Sequence, residues 1–138
     1  FHVVLVYEKP TEEINVFVDE DRLNHCVGNL ISNAVKYTPK YSSVIISVGS
    51  KDNVAYLLVK DFGPGIDQEF QPRLFHRFVQ GQPPKDKLVG GSGLGLAITK
   101  AFVEAMLGKV TYDTSEHGST FKIELPMVKE NSRNLAEQ

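Results

Sequence analysis

Residues 19–39 read DEDRLNHCVGNLISNAVKYTP, and their spacing sets the fold. Asp19 is a natural N-cap, because its short carboxylate can accept from the unpaired N–H groups of a first turn. Arg22 stands three residues on, where a capping box needs Glu or Gln. From about Glu20 to Tyr37 the apolar residues Leu23, Val27, Leu30, Ile31 and Ala34 recur at three- and four-residue steps, the period of a helix with one apolar face. Thr38-Pro39 stops it, since a residue before proline avoids the helical region. One apolar face has to be covered, and the flanking sequence supplies strands for the purpose.

Upstream, His2–Tyr7 and Ile14–Val18 are β-branched and read as strands, with Glu8–Glu13 and its Pro10 as a turn or hairpin. Downstream, Ser43–Val48 and Ala55–Lys60 read as a hairpin through the turn residues of Gly49–Asn53. Asp61–Gly65 is a tight loop. Glu69–Phe78 is a short helix or irregular turn, with Phe70, Leu74, Phe75 and Phe78 inward. Val79–Ser92 has no periodicity and reads as a long mobile loop, of a kind that is usually functional. Gly93–Leu107 is a second amphipathic helix with Leu94, Ala97, Ile98, Ala101, Phe102 and Ala105 as its stripe and Gly108 as its C-cap. Lys109–Thr114 and Ser119–Leu125 close a last hairpin around Glu116-His117-Gly118. The expected fold is α+β: a two-layer sandwich, its mixed, mostly antiparallel sheet covered on one face by helices. Residues 1–128 form one domain, and 129–138 are a polar, frayed tail.

Composition narrows the function. The 138 residues carry 15 Lys plus Arg against 17 Asp plus Glu, so the chain lacks the overall positive charge of a nucleic-acid binder. The single cysteine, Cys26, can form neither an internal disulfide nor a cysteine zinc site, which suits a reducing compartment. No apolar run approaches the roughly 18 residues a membrane span needs, and no signal peptide is visible. The start at Phe1, inside a strand-like run, reads as a fragment of a larger protein.

Three features carry chemistry. Gly90-Gly91-Ser92-Gly93-Leu94-Gly95-Leu96 leads straight into a helix, where bare backbone N–H groups can meet an anion. It fits neither a Walker A loop nor the dinucleotide fingerprint, and a hinge remains the other reading. Asp61 follows a strand, either as a turn former or as a buried carboxylate accepting a hydrogen bond from a ligand. Asp61-Phe62-Gly63 is not the protein-kinase motif, because the chain has no His-Arg-Asp loop and no Val-Ala-Ile-Lys strand. Asn29, Asn33 and Lys36 share one helix face outside the apolar stripe. That face is either merely solvated or a hard amide oxygen for Mg²⁺ beside a cation for phosphate.

Together these motifs resemble the catalytic ATP-binding domain of bacterial sensor histidine kinases, within the superfamily of DNA gyrase, the ninety-kilodalton heat-shock chaperone and MutL. Asn29–Thr38 is similar to the asparagine box, Asp61-Phe-Gly63-Pro-Gly65-Ile66 to the first glycine box and Leu74-Phe75-His-Arg-Phe78 to the phenylalanine box. Gly91-Ser92-Gly93-Leu94-Gly95-Leu96 is similar to the second glycine box and Gly118-Ser-Thr120-Phe to the final glycine element. The boxes follow the family order from about Asp19 to Pro126.

The resemblance implies the Bergerat-type ATP-binding fold, ATP as substrate and Mg²⁺ as metal. It implies that Asn33 ligates Mg²⁺, with Asn29 beside it, Lys36 on phosphate and Tyr37 against the nucleotide. Asp61 would read the adenine amino group, with Gly63, Gly65 and Ile66 around the base and Thr120 in support through water. Phe75 and Phe78 would anchor a lid, and Gly91, Ser92, Gly93, Leu94, Gly95 and Leu96 would close over the triphosphate. Asn29 stands where hydrolysing branches place a glutamate base, and an amide takes no proton at neutral pH. The implied activity is therefore protein-histidine kinase: transfer to a histidine on a separate helical dimerisation domain of a homodimeric, membrane-anchored parent, and on to a response regulator. None of His2, His25, His76 and His117 has the setting of that phosphoacceptor, and this segment itself is expected to be cytoplasmic, touching neither membrane nor nucleic acid.

Two departures from the family pattern are Gln80, where many relatives carry arginine, and the shortened element at His117-Gly118-Ser119. Lys85 and Lys87 are either phosphate contacts or solvated. The alternatives are an ATP-driven conformational switch of the same superfamily, a kinase for a partner's serine, and a degenerate module that binds no nucleotide.

Overall fold

The computed structural model describes residues 3–76 and 95–128. Helix α1 spans Glu20–Tyr37, as its periodicity predicts. The Asp19 carboxylate accepts from the Arg22 N–H at 3.1 Å, and at the other end the Thr38 N–H donates to the Ala34 carbonyl at 2.9 Å. Cys26, Leu30 and Ala34 form its buried stripe.

The strands are β1 (Val4–Glu8), β2 (Ser43–Lys51), β3 (Val54–Lys60), β4 (Lys109–Ser115) and β5 (Gly118–Pro126). They lie in the order β1-β2-β3-β5-β4, with β1 parallel to β2 and every other pair antiparallel. The turn from β2 to β3 puts Asp52 and Asn53 at positive φ, which matches the right-handed twist of the strands it joins. Along β5 burial alternates: Ser119, Phe121, Ile123 and Leu125 are buried, while Thr120, Lys122 and Glu124 are only partly so. Phe121, Ile123 and Leu125 meet Val44, Val59, the α1 stripe and Val103 in one core. The fold is the expected α+β sandwich, with its helices on one face of a mixed sheet.

Four local expectations are corrected. Ile14–Val18 forms no strand; Val16 makes a single antiparallel bridge to Met127, and the Val128 N–H donates to the Asn15 carbonyl at 2.9 Å. The hairpin expected across Glu8–Glu13 does not form either. The whole of α1 lies between β1 and β2, and a helical crossover returns the chain in the same direction, so the pair is parallel.

Helix α2 spans Gly95–Ala105, and the expected Gly93 and Leu94 lie outside the described residues. Its inward face is Leu96, Thr99, Val103 and Met106, with Phe102 at the margin, whereas Ala101 and Ala105 are exposed. The expected stripe was rotated because Thr99 is polar, yet it is fully buried. At the C-terminus the left-handed residue is Leu107 (φ 65°), not Gly108. The Gly108 N–H donates to Val103 O at 2.9 Å and the Leu107 N–H to Glu104 O at 3.0 Å, a Schellman pair. Gly108 is needed for space, since a Cβ there would strike the Glu124 carbonyl.

Gln71–Arg73 is a single 3₁₀ turn within the expected Glu69–Phe78 segment. Phe78, the loop 79–92 and the tail 129–138 lie outside the described residues.

Candidate functional site

The strand β3 ends at Lys60, and the next residue, Asp61, is 4% exposed. One carboxylate oxygen, Oδ1, accepts from the Gly63 N–H at 2.9 Å and the Ser119 N–H at 3.1 Å. The Asp61 N–H donates in turn to the Ser119 carbonyl at 2.8 Å. The carboxylate is thus held by backbone donors on two segments, which fixes its direction.

The loop after it is held on both sides. The Phe62 N–H donates to the buried Thr38 hydroxyl at 3.3 Å, at the end of α1. The Ile66 N–H donates to Thr114 Oγ1 at 2.9 Å, and that hydroxyl lies 2.8 Å from Ser119 Oγ. Two glycines make the turn possible. Gly65 has φ 84° and Gly118 φ 143°, and a Cβ on either would run into the Ser115 or the Asp61 carbonyl. At Gly63 a Cβ would press on the Tyr37 carbonyl, so this loop packs directly on the C-terminal end of α1.

On α1 itself, Asn29, Asn33, Lys36 and Tyr37 are all half-buried. The Asn29 amide donates to the Gly95 carbonyl at 3.2 Å and to Thr99 Oγ1 at 3.4 Å, joining α1 to the first turn of α2. Lys36 Nζ lies 5.8 Å from the centre of the Tyr37 ring. Partial burial lowers the pKa of its ammonium, because the charged form gives up hydration. A poorly hydrated cation on a half-buried face is suited to an anion.

Phe75 pins the segment after the loop: its ring lies 6.2 Å from that of Tyr112 and 6.4 Å from that of Phe121, with Lys100 Nζ 5.9 Å from its centre. Ile66 and Leu96 pack on the core, and Gly95 sits against Asn29. Phe78, Gly91, Ser92, Gly93 and Leu94 lie outside the described residues, as do Gln80, Lys85 and Lys87.

Thr120 is not brought to this corner. It pairs with Lys60 and Asp113 on the sheet face away from the helices, while Ser119 is the residue that meets Asp61. The parity of Phe121, Ile123 and Leu125 carried that signal, since residues two apart on a strand share a face. Sequence reasoning also missed Thr38, Thr99 and Thr114, whose hydroxyls are used by loops and helices distant in sequence. The described histidines stand apart: His25 meets the Phe102 ring edge-on, while His76 and His117 are exposed. Among the described residues no three His, Cys, Asp or Glu side chains cluster as a metal site. Nor is any described helix long and apolar enough to cross a membrane.

Comparison with known proteins agrees with this geometry. Residues 18–129 match the family described as histidine kinase-, DNA gyrase B-, and HSP90-like ATPase, and the chain belongs to it. It is 35% identical over 132 residues to the sensor histidine kinase WalK of Bacillus subtilis, covering 94% of this chain and 22% of that protein. It is 35% identical over 125 residues to the signal transduction histidine-protein kinase BaeS of Escherichia coli, covering 90% and 27%. The chain thus spans about a quarter of the length of these relatives. Among solved structures, the mycobacterial sensor histidine kinase MprB superposes with a TM-score of 0.80 at 28% identity, covering 91% of this chain and 84% of that one. Full-length ShkA in complex with AMPPNP gives 0.78 at 29% identity, covering 92% and 26%. Within its family, the chain is a catalytic ATP-binding domain of the sensor histidine kinase type.

Proposed function

We propose that this domain binds Mg·ATP and donates the γ-phosphoryl group to a histidine on a separate helical dimerisation domain of its parent. The observation that carries this reading is the buried Asp61 carboxylate, held by the Gly63 and Ser119 N–H groups beneath a glycine loop that packs on α1. A buried, oriented acceptor is what recognition of an exocyclic amino group needs. In this reading Ser119, whose N–H donates to Asp61, supports the same edge of the base in place of Thr120. Gly63, Gly65 and Ile66 shape the loop against it, and Tyr37 flanks it from α1.

The triphosphate falls to the face of Asn29, Asn33 and Lys36. The donor chemistry of that face fits Mg²⁺ arriving on the phosphates, because it offers amide oxygens and no carboxylate cage. Asn33 is the metal ligand in this reading, and bound Mg²⁺ supplies neutralisation of phosphate charge. Lys36 holds the phosphates from the side. Asn29 has no proton-accepting nitrogen or carboxylate, so a water beside it gains no base. The acceptor imidazole attacks the γ-phosphorus, the bond to the β,γ-bridging oxygen breaks, and ADP leaves. Catalysis by this chain is positioning and charge stabilisation. The phosphoryl group then passes to a response regulator. The parent is a homodimer anchored in a membrane, with this domain, residues 1–128, in the cytoplasm.

The test is calorimetric titration of AMP-PNP with and without Mg²⁺, followed by incubation with [γ-³²P]ATP and a purified helical phosphoacceptor domain from a relative. Binding strengthened by Mg²⁺ and label on that domain's histidine support the reading. Absence of AMP-PNP binding, or hydrolysis without transfer, overturns it.

A further inference from the structure

The geometry points to Thr99, acting with the Gly95 carbonyl it bonds, as the residue that holds the direction of the Asn29 amide, so that an oxygen rather than an N–H group faces the Mg·phosphate side of α1. This rests on the nucleotide reading above and deepens it. Thr99 is fully buried on α2, in a position that a helix interior usually gives to an apolar side chain. Its hydroxyl lies 2.8 Å from the Gly95 carbonyl. A carbonyl oxygen only accepts, so the single hydroxyl proton of Thr99 is spent there. What remains on Oγ1 is acceptor capacity.

The Asn29 amide meets these same two groups, at 3.2 Å from Gly95 O and 3.4 Å from Thr99 Oγ1. Both therefore demand a donor, and only the NH₂ end of the amide supplies one. The opposite end, Oδ1, bonds neither group and lies at the very start of α2, 3.8 Å from where a Cβ on Gly95 would sit. Were Thr99 Oγ1 free to donate, it could also meet the amide oxygen, and the Gly95 carbonyl alone would select the NH₂ end. Cys26 adds a second tie from α1, with its thiol 3.8 Å from the Thr99 carbonyl, so the Thr99 backbone is fixed as well. Thr99 touches neither phosphate nor metal in this scheme; it acts through Asn29 and is a positioning residue.

The clamp also bears on hydrolysis. A glutamate or aspartate in place of Asn29 would set a carboxylate oxygen against the Gly95 carbonyl, acceptor to acceptor. The Thr99–Gly95 pair is thus matched to an amide and opposed to a general base at this position. In this chain the choice of transfer over hydrolysis is written on α2 as well as on α1.

Thr99→Val keeps the volume and removes both hydrogen-bonding roles, while Thr99→Ser keeps them. Each variant is titrated with AMP-PNP with and without Mg²⁺, beside wild type. In Thr99→Val the strengthening by Mg²⁺ is expected to fall about tenfold, with metal-free affinity within about twofold of wild type. Thr99→Ser is expected to retain the Mg²⁺ effect. An unchanged Mg²⁺ effect in Thr99→Val, or equal losses with and without metal, overturns the positioning role, since a packing defect weakens both. Wild type that binds no AMP-PNP overturns the nucleotide reading itself; wild type that binds while Thr99→Val matches it overturns only the clamp. If Thr99→Val does not fold, NMR of wild type decides. Adding AMP-PNP with Mg²⁺ should shift the Asn29 ¹³Cγ resonance and leave its Nδ2 protons in place, and the reverse pattern overturns the proposal.

Discussion

The corner after the central strand of the sheet and its β1 edge are built on opposite terms. At the Asp61 corner the N–H groups of Asp61, Phe62, Gly63 and Ile66 all have named partners, and positive φ falls on glycines, Gly65 and Gly118. At the β1 edge the strand pairs, among the described residues, with β2 alone, and all five of its residues are exposed, Val4, Leu5 and Tyr7 by more than half. A corner held by hydrogen bonds from three segments has one geometry. An edge held by one ladder tolerates change and opens first. The difference shows where this chain spends its constraints: on the direction of one carboxylate rather than on completing its sheet.

The sharpest way to break that contrast is Gly118→Ala. It combines a positive φ with a Cβ driven into the Asp61 carbonyl, so unfolding stability should drop by about 3 kcal/mol in a denaturant titration. A loss below about 1 kcal/mol would mean the corner is softer than its bonds suggest.

Asp61→Asn probes direction rather than bulk. The amide oxygen can still accept from Gly63 and Ser119, so the fold should survive with a loss of about 1–2 kcal/mol. The remaining amide end now donates, and preference for ATP over GTP should fall about tenfold in competition titrations. Retained selectivity would remove Asp61 from adenine reading.

Lys36→Met separates the site from the scaffold. Burial lowers the Lys36 pKa, so the charged form is penalised in the folded state at every pH below its folded value. The penalty starts to fade as pH rises through that value and is gone only above the ordinary lysine pKa. At neutral pH the variant should therefore melt no lower than wild type, while AMP-PNP affinity falls about tenfold. A lower melting temperature with intact affinity would reverse the assignment.

Gly28→Ala is the counterpart to the corner glycines. Nothing lies within 4 Å of a Cβ there, on the exposed side of α1, so stability should rise by about 1 kcal/mol. The smallest effect belongs to the edge. Leu5→Lys should change stability by less than about 0.5 kcal/mol, and a larger loss would show that the edge is packed in solution.

Much of this was written in local sequence. The α1 periodicity, its Asp19 cap and its Thr38-Pro39 stop are near-neighbour effects, and they place Asn29, Asn33 and Lys36 on one face without help from the rest of the chain. The β2–β3 and β4–β5 hairpins follow from turn residues in the same way. The order of the glycine and asparagine motifs carried the family. Local sequence could not tell that β1 joins β2 in parallel, because pairing is set by the crossover of α1 rather than by either strand. Nor could it tell that Thr99 faces inward or that Leu107 turns left-handed. Nor did a motif alone decide between Ser119 and Thr120, which differ by one residue and by a whole face of the sheet. Periodicity and capping act over three or four residues and can be read along the chain. The direction of an amide or a carboxylate is decided by donors and acceptors some sixty to seventy positions away, and only folding brings those together.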